Sequence, residues 1–487
     1  MKINTKLRYG GYALLVTLFG IALIILLNIG LSAMDQKFDL KIDTTQNKKY
    51  SLSDTTKKTV AALTKDVRIY TLYVEGSENA DVVEIINKFK GLSGHVTVEN
   101  VDPERNPGFV KKFQKEGETI AAGSIIVTDA ENKLVRILDQ YAQFEYGYDE
   151  ASQRNYIAQI KVEGAVANAM NYIELGYMPS AYVVQGHGEL TIGNLGNINA
   201  FMSDQNYNLE SVNIAQTPDK IKAGDIIMFF NPQSDISDEE RDLLKPLMEK
   251  GGRFYFLFDP LKTNAEKMPN LMSLLKLYDI SLKKGLVVET NLGNMYSSQY
   301  PSVLVPIIQT HEVTKGVGGG SVPVIMPNSG ALDLPDVAPE SSMTITALLK
   351  SSKDAYLKVV DETTTNEDME QKPEDETGEF TLMAAVEKTV GTDAADSVRF
   401  IVSYNTEFAT TSNLNNFSSN MNLFMDSASW MRNAEKDIYV RPKTVADSVM
   451  RISNAFEFWM ILAVSILLVP VLMLIAGIVV HVRRKHL

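Results

Sequence analysis

Apolar positions along the chain follow two regimes. Two long unbroken runs, Gly11–Ala33 and Phe458–Val480, lie near its two ends. Asn28 is the only strongly polar residue of the first, and the second has no charged residue. Each exceeds the roughly 20 residues that carry a helix across a bilayer, where a helix satisfies its own backbone. Between them, apolar residues recur at the short spacings of ordinary globular protein.

In that middle region the spacing predicts alternating elements. Phe38, Leu40 and Ile42 alternate as a short strand, and Ser53 or Asp54 caps a helix through Val60 to Leu63. Val67–Val74 and His95–Val101 read as strands, Asp81–Lys90 and Pro107–Lys115 as helices, and Ser124–Thr128 with Lys133–Leu138 as a hairpin. This β-α-β-α-β-β order resembles a thioredoxin-like domain, without the Cys-x-x-Cys of redox chemistry. Ile157–Ile173 is expected to be a linking helix.

Further on, strands at Ala181–Gln185, Leu209–Ile214, Asp225–Phe230, Arg253–Phe258 and Gly285–Val288 alternate with helices. Ser237-Asp238-Glu239-Glu240 opens one helix as a capping box, and Gly251-Gly252 ends it. Such alternation argues for a doubly wound, parallel α/β sheet. Asp361–Glu379 is acidic and nearly free of apolar residues, and reads as a mobile solvated loop. Thr381–Val386 and Arg399–Tyr404 are strand-like, and Asn422–Met431 is an amphipathic helix with Trp430 on its apolar face.

The resulting division is a cytoplasmic N-terminus at 1–10, a transmembrane helix at 11–33 and a thioredoxin-like α/β domain at 35–150. A linking helix at 151–175 leads to an α/β domain at 176–455 with a mobile acidic loop at 361–380. A second transmembrane helix at 458–480 and a cytoplasmic tail at 481–487 close the chain. Lys2, Lys6 and Arg8 before the first run, and Arg483, Arg484 and Lys485 after the second, place both termini in the cytoplasm of a two-pass protein of the cell membrane.

Charge and composition narrow the function. The chain has 47 basic and 60 acidic residues, net −13, which opposes nucleic-acid binding. It has no cysteine, so disulfides, thiolate nucleophiles and zinc–thiolate sites are excluded. No Gly-x-x-x-x-Gly-Lys-Ser/Thr loop offers a cradle for ATP, and the glycines at 316–320 lack the strand–helix context of one. His95, His187 and His311 are the only histidines outside the tail and are far apart, so no metal or other cofactor is expected.

One constellation carries candidate chemistry. Gly186-His187-Gly188-Glu189 follows a strand of the parallel sheet, where α/β folds place ligands. His187 could serve as a base or ligand with Glu189 as its partner, or the two glycines could simply supply a tight turn. Asp259 ends another strand and either caps a turn or lines the same crevice. In the two apolar runs, Gly20, Gly30, Ala463 and Gly477 would let a partner helix approach closely in the lipid bilayer.

Several of these segments together carry a resemblance. The first apolar run, Phe38-Asp39-Leu40 and Lys49-Tyr50-Ser51-Leu52-Ser53 are similar to the auxiliary components of ABC transporters typified by the bacterial gliding-motility system. Further matches are Gly186-His187-Gly188-Glu189, Asp238-Glu239-Glu240, Lys250-Gly251-Gly252-Arg253 and Arg441-Pro442-Lys443. The α/β domain also resembles glutamine-amidotransferase-like folds, whose enzymes use a cysteine that this chain lacks. The resemblance implies a non-enzymatic auxiliary subunit working with separate ABC permease and ATPase chains. Its outer domains would bind a substrate, such as a carbohydrate or peptide, or a partner, and its spans would dock on the permease. A membrane-anchored hydrolase centred on His187 and an envelope scaffold without a small ligand are the rival readings.

Overall fold

The computed structural model describes residues 48–445, apart from 115–118, 150–152, 196–197, 318–321, 361–368, 393–394, 411, 414–416, 433–439 and 441–442. The chain divides into two units, Met1–Thr444 and Val445–Leu487. All but one of the described residues belong to the first.

The N-terminal part opens with helix α1 (Asp54–Ala61), whose cap Ser53 accepts the Thr56 amide. Strand β1 (Val67–Thr71), helix α2 (Ala80–Lys90), strand β2 (Val96–Asn100), helix α3 (Pro107–Lys111) and strands β3 (Ile125–Asp129) and β4 (Val135–Leu138) follow. They form a four-stranded sheet in the order β2-β1-β3-β4, with β1 parallel to β2 and antiparallel to β3. Asn79 caps α2 through its side chain, and Val82, Ile85, Ile86 and Phe89 give that helix one buried stripe.

A short helix α4 (Gln140–Gln143) leads to the hairpin β5 (Phe144–Asp149) and β6 (Arg154–Ile160), and then helix α5 (Val162–Leu175). The expected linking helix from Ile157 is corrected here. Residues 154–160 pair with the aromatic-rich β5 along their length, with Tyr156 and Ile157 opposite Gly147 and Tyr146, so they form strand, and the helix begins at Val162.

The larger part begins with β7 (Ser180–Val184), α6 (Ile198–Asp204), β8 (Asn208–Val212), β9 (Ile226–Phe230), α7 (Asp238–Glu249), β10 (Arg253–Leu257) and α8 (Pro269–Lys276). It continues through β11 (Ser281–Lys283), β12 (Leu286–Val288), β13 (Val303–Leu304), β14 (Ile307–Ile308), β15 (Met326–Pro327), β16 (Ala331–Asp333) and β17 (Met343–Lys350). The last elements are β18 (Tyr356–Lys358), β19 (Glu376–Thr377), β20 (Thr381–Lys388), β21 (Val398–Ser403), α9 (Ser418–Met431) and β22 (Lys443–Thr444).

The main sheet runs β11-β16-β20-β21-β10-β9-β7-β8, with β17 and β14 branching from β20. Strands β21, β10, β9, β7 and β8 are parallel. Strands β20, β16 and β11 continue the sheet antiparallel, which corrects the expectation of an all-parallel sheet. Alternate residues of each central strand feed opposite cores. Ile226, Met228, Phe230, Tyr255 and Leu257 pack beneath α6 and α9, while Ile227, Phe229, Phe254, Phe256 and Phe258 pack beneath α7 and α8. On the second face Phe256 lies 5.4 Å from both Phe229 and Phe254, ring centre to ring centre and nearly parallel.

Two further expectations are corrected. Among the described residues no helix is long and apolar enough to cross a membrane. The longest, α5 and α9, have 14 residues each and spend their apolar residues on the core. The architecture of two membrane helices flanking outer domains, and the two-pass localisation drawn from it, is therefore not what the described chain supports. The runs 11–33 and 458–480, with Gly20, Gly30, Ala463 and Gly477, lie outside the described residues. The acidic loop is also more fixed than its composition suggests over 369–379. There Lys358, itself buried, pairs with Asp375 at 2.9 Å and donates to the Glu370 carbonyl, and β19 pairs with β18.

Candidate functional site

The carboxyl ends of β7, β9, β10 and β21 lie side by side, and the chain reverses its winding direction at β7, between β8 and β9. An open α/β sheet has its natural crevice at such a switch point. The loops there are built from polar residues.

After β7, Gly186 and Gly188 adopt φ of 129° and 82°, values that L side chains rarely take. A Cβ on Gly188 would stand 3.1 Å from Gln233. The two glycines let the loop fold back against the segment after β9. The His187 carbonyl accepts the amides of Gln233 and Ser234 at 2.8 and 3.0 Å, and Gln233 donates its side-chain amide to the Gly188 carbonyl. The Leu190 amide reaches the Phe230 carbonyl at 2.9 Å. The two loops at the switch point are thus stitched together.

His187 is buried and both ring nitrogens face carboxylates. Nδ1 lies 2.8 Å from Oε1 of Glu189, and Nε2 lies 2.9 Å from Oε2 of Glu240. The His187 amide also donates to Glu189 Oε2 at 2.7 Å. Burial alone would lower the imidazole's pKa, but the two carboxylates overcome it and hold the ring above its ordinary value. Carboxylates only accept, so it is the doubly protonated form of the ring that can satisfy both contacts. Glu240 shows the complementary balance: burial raises its pKa, while the Ser237 amide and His187 bring it below the usual range. Both ring nitrogens are engaged by buried carboxylates and the ring's pKa is held up, so His187 is poorly placed as a general base.

Asp259 sits two residues past β10 and forms a different group. Its Oδ1 accepts the Leu261 amide, its carbonyl accepts the Lys262 and Thr263 amides, and Lys262 approaches its other oxygen at 3.6 Å. Its charge reaches Tyr404 and Glu407, beyond β21. Burial with Asp259 nearby pushes the Tyr404 hydroxyl up to about 12 and raises the Glu407 carboxyl. Glu407 accepts from Asn328, which in turn accepts from Ser302. Thr263 donates toward the Pro232 carbonyl at 3.4 Å, and Pro232 adjoins the loop that holds His187. The structure therefore brings Gly186, His187, Gly188 and Glu189 together and sets Asp259 on the same edge in a separate cluster.

Glu240 is the site residue that sequence reasoning missed. It reads as the acidic member of the Ser237 capping box, and both halves of that box are present. Its second role depends on α7 starting beneath the loop after β7, 53 residues away along the chain. The other histidines stand apart: His95 pairs with Asp66 on the surface, and His311 packs edge-on against Trp430. Among the described residues no group of three or more His, Asp or Glu side chains could hold a metal ion.

Comparison with known proteins adds the context. A family described as "ABC-type uncharacterized transport system" matches residues 179–427, and a domain of unknown function, DUF7088, matches residues 46–141. No curated protein matches the chain. A solved structure of the mmIFT52 N-terminal domain is similar over 53% of this chain and 100% of its own, at 12% identity and a TM-score of 0.38. The NTD_N/C domain of alkylhydroperoxide reductase AhpF from Enterococcus faecalis (V583) is similar over 34% of this chain and 83% of its own, at 15% identity and a TM-score of 0.17. Likenesses so slight carry no argument about function. The family match is different in kind: it spans a little over half of the chain, from the residue before β7 into α9, and so takes in the whole parallel sheet and both polar clusters at its carboxyl edge. The chain belongs to this ABC-type transport family, as an auxiliary component of a transport system.

Proposed function

We propose that the chain is a non-catalytic binding subunit of its transport system, and that the carboxyl edge of the main sheet receives a protein partner, either the permease or the ATPase chain. The observation that carries this reading is the set of large side chains exposed on loops meeting at that edge. Leu261, in the turn capped by Asp259, is 53% exposed. Tyr296 and Tyr300 are 56% and 59% exposed. Their segment is fixed to the edge through Ser302, Asn328 and Glu407. Exposed aromatic and aliphatic side chains on a rigid polar frame suit a protein interface. The cluster at His187 supports the same reading, since its groups are spent on holding two loops and the helix cap in place. A hydrolase centred on His187 is the poorer account, because no ring nitrogen is free to act as base.

The test is co-purification of the full-length chain with the ATPase and permease of its own transport system. A Leu261→Glu/Tyr300→Ala variant should lose the partner while its thermal unfolding stays unchanged. Undiminished recovery of both partner chains with that variant would overturn the assignment of this edge. Turnover of ester, amide or glycoside probes that disappears in His187→Ala would overturn the non-catalytic reading.

A further inference from the structure

A cavity of about 540 Å³ lies at the other end of the sheet, beside the β11 edge. Its volume falls within the range of small-ligand pockets. Lys283 ends β11 and Lys284 follows it, Leu357 and Lys358 end β18 with Val359 next, Lys372, Glu374 and Asp375 come from the segment before β19, and Glu376 opens β19. The local backbone forces these lysines together. Gly285 has φ of 131°, and a Cβ there would stand 2.6 Å from the Lys358 carbonyl oxygen. Only glycine lets the turn after Lys284 press so closely on β18.

The charges in this cavity do not cancel. Lys358 is 4% exposed and paired with Asp375, and Lys283 is paired with Glu376 at 2.7 Å. Those two pairs form a fixed wall. Among the described residues Lys284 and Lys372 make no salt bridge, and Glu374 is the only further carboxylate in the lining. Among the described lining residues four lysines stand against three carboxylates, so this lining is cationic by one charge in a chain whose net charge is −13. Leu357 and Val359 add an apolar surface beside the two lysines that make no salt bridge. Lysines lining a partly apolar concavity are the chemistry that receives an oxyanion on a small organic body.

We propose that this cavity is a binding site for a small anionic ligand, one bearing a carboxylate or phosphate group, held by Lys284 and Lys372. The site is separate from the carboxyl edge assigned to a partner chain, so either assignment can fail alone.

The test is calorimetric titration of the full-length protein with inorganic phosphate and, separately, with citrate, at low ionic strength. Saturable binding of at least one probe is expected, at least tenfold weaker in a Lys284→Glu/Lys372→Glu variant and unchanged in Lys276→Glu, a surface control. Binding of phosphate alone assigns a phosphorylated ligand, binding of citrate alone a carboxylic acid, and binding of both an oxyanion site of broader choice. Both substituted lysines are exposed, and matching thermal unfolding curves will show that the variant is folded. No saturable binding, or equal weakening in the Lys276 control, would overturn the proposal.

Discussion

Oε2 of Glu240 lies 2.9 Å from His187 Nε2 and 2.9 Å from the Ser237 amide nitrogen. One carboxylate oxygen therefore closes the N-terminus of α7 and anchors the loop after β7. Removing the imidazole leaves Glu189 and Glu240 buried without their shared cation. His187→Ala should cost about 3 kcal/mol, the low end for breaking a buried ion pair. His187→Gln, which can still donate to one carboxylate, should cost less. Urea unfolding measures both, and an unshifted midpoint for His187→Ala would show that the clamp contributes nothing.

The same cluster sets a pH window. The folded-state pKa of His187 is raised above its ordinary 6.5, so its contribution is full below 6.5 and is lost as pH rises through the folded value. Glu240 is depressed below its ordinary 4.5, so its contribution is present above 4.5 and is lost as pH falls through the folded value. Stability from the cluster is therefore greatest between 4.5 and 6.5. The melting temperature should fall as pH rises above 6.5, and the fall should be smaller in His187→Ala. Parallel profiles for the two proteins would contradict this.

A second buried carboxylate joins distant segments. Glu163 on α5 accepts the Ser53 amide at 2.6 Å and the Thr56 hydroxyl at 2.7 Å. Its other oxygen forms an ion pair with Lys443 at 2.6 Å. Lys443 also donates to the Ser51 carbonyl. Burial pushes the Glu163 carboxyl up, but Lys443 and the two donors bring it below the usual range. Lys443→Ala should destabilise this corner by about 3 kcal/mol. Hydrogen exchange at the Ser53 and Thr56 amides should accelerate, and unchanged protection there would disprove the coupling.

Adjacent glycines at the end of α7 should respond unequally. Gly251 has φ of 73°, and a Cβ there would meet Ala223 at 3.1 Å. Gly251→Ala should cost about 1–2 kcal/mol of left-handed strain. A Cβ on Gly252 would stand 2.2 Å from the Leu247 carbonyl oxygen, which is backbone and cannot swing aside. Gly252→Ala should cost about 3 kcal/mol or more, as overpacking against a rigid neighbour does. Equal melting temperatures for the two variants would refute the distinction.

What could be read from the sequence is local. Ser237-Asp238-Glu239-Glu240 and Gly251-Gly252 mark the ends of α7, because caps are chemistry within one helical turn. The fully apolar Ile226–Phe230 announces a strand buried on both faces. The antiparallel strands β16 and β20 could not be placed on the same sheet, since their partners are set by long-range contacts between short segments. Arg154–Ile160 could be mistaken for the start of the next helix, because its pairing with β5 decides it. The acidic composition of 369–379 concealed its order, because Lys358 and its partner Asp375 lie 17 residues apart and neutralise each other only once folded. At the candidate site the glycines and His187 stood out by type, whereas Glu240 was hidden behind its capping role.

The contact of Lys443 with Ser51 joins the two ends of the described chain, beside the Glu163 links to Ser53, Thr56 and Lys443. Nearly four hundred residues lie between those two positions along the chain, yet a side chain of one touches the backbone of the other. Lys443 also lies in β22, which pairs with β6, so a pull on the segment after it would load that strand pairing together with the contact to Ser51. The chain thus enters and leaves this body at neighbouring points, and a force on both ends would meet there rather than across its width.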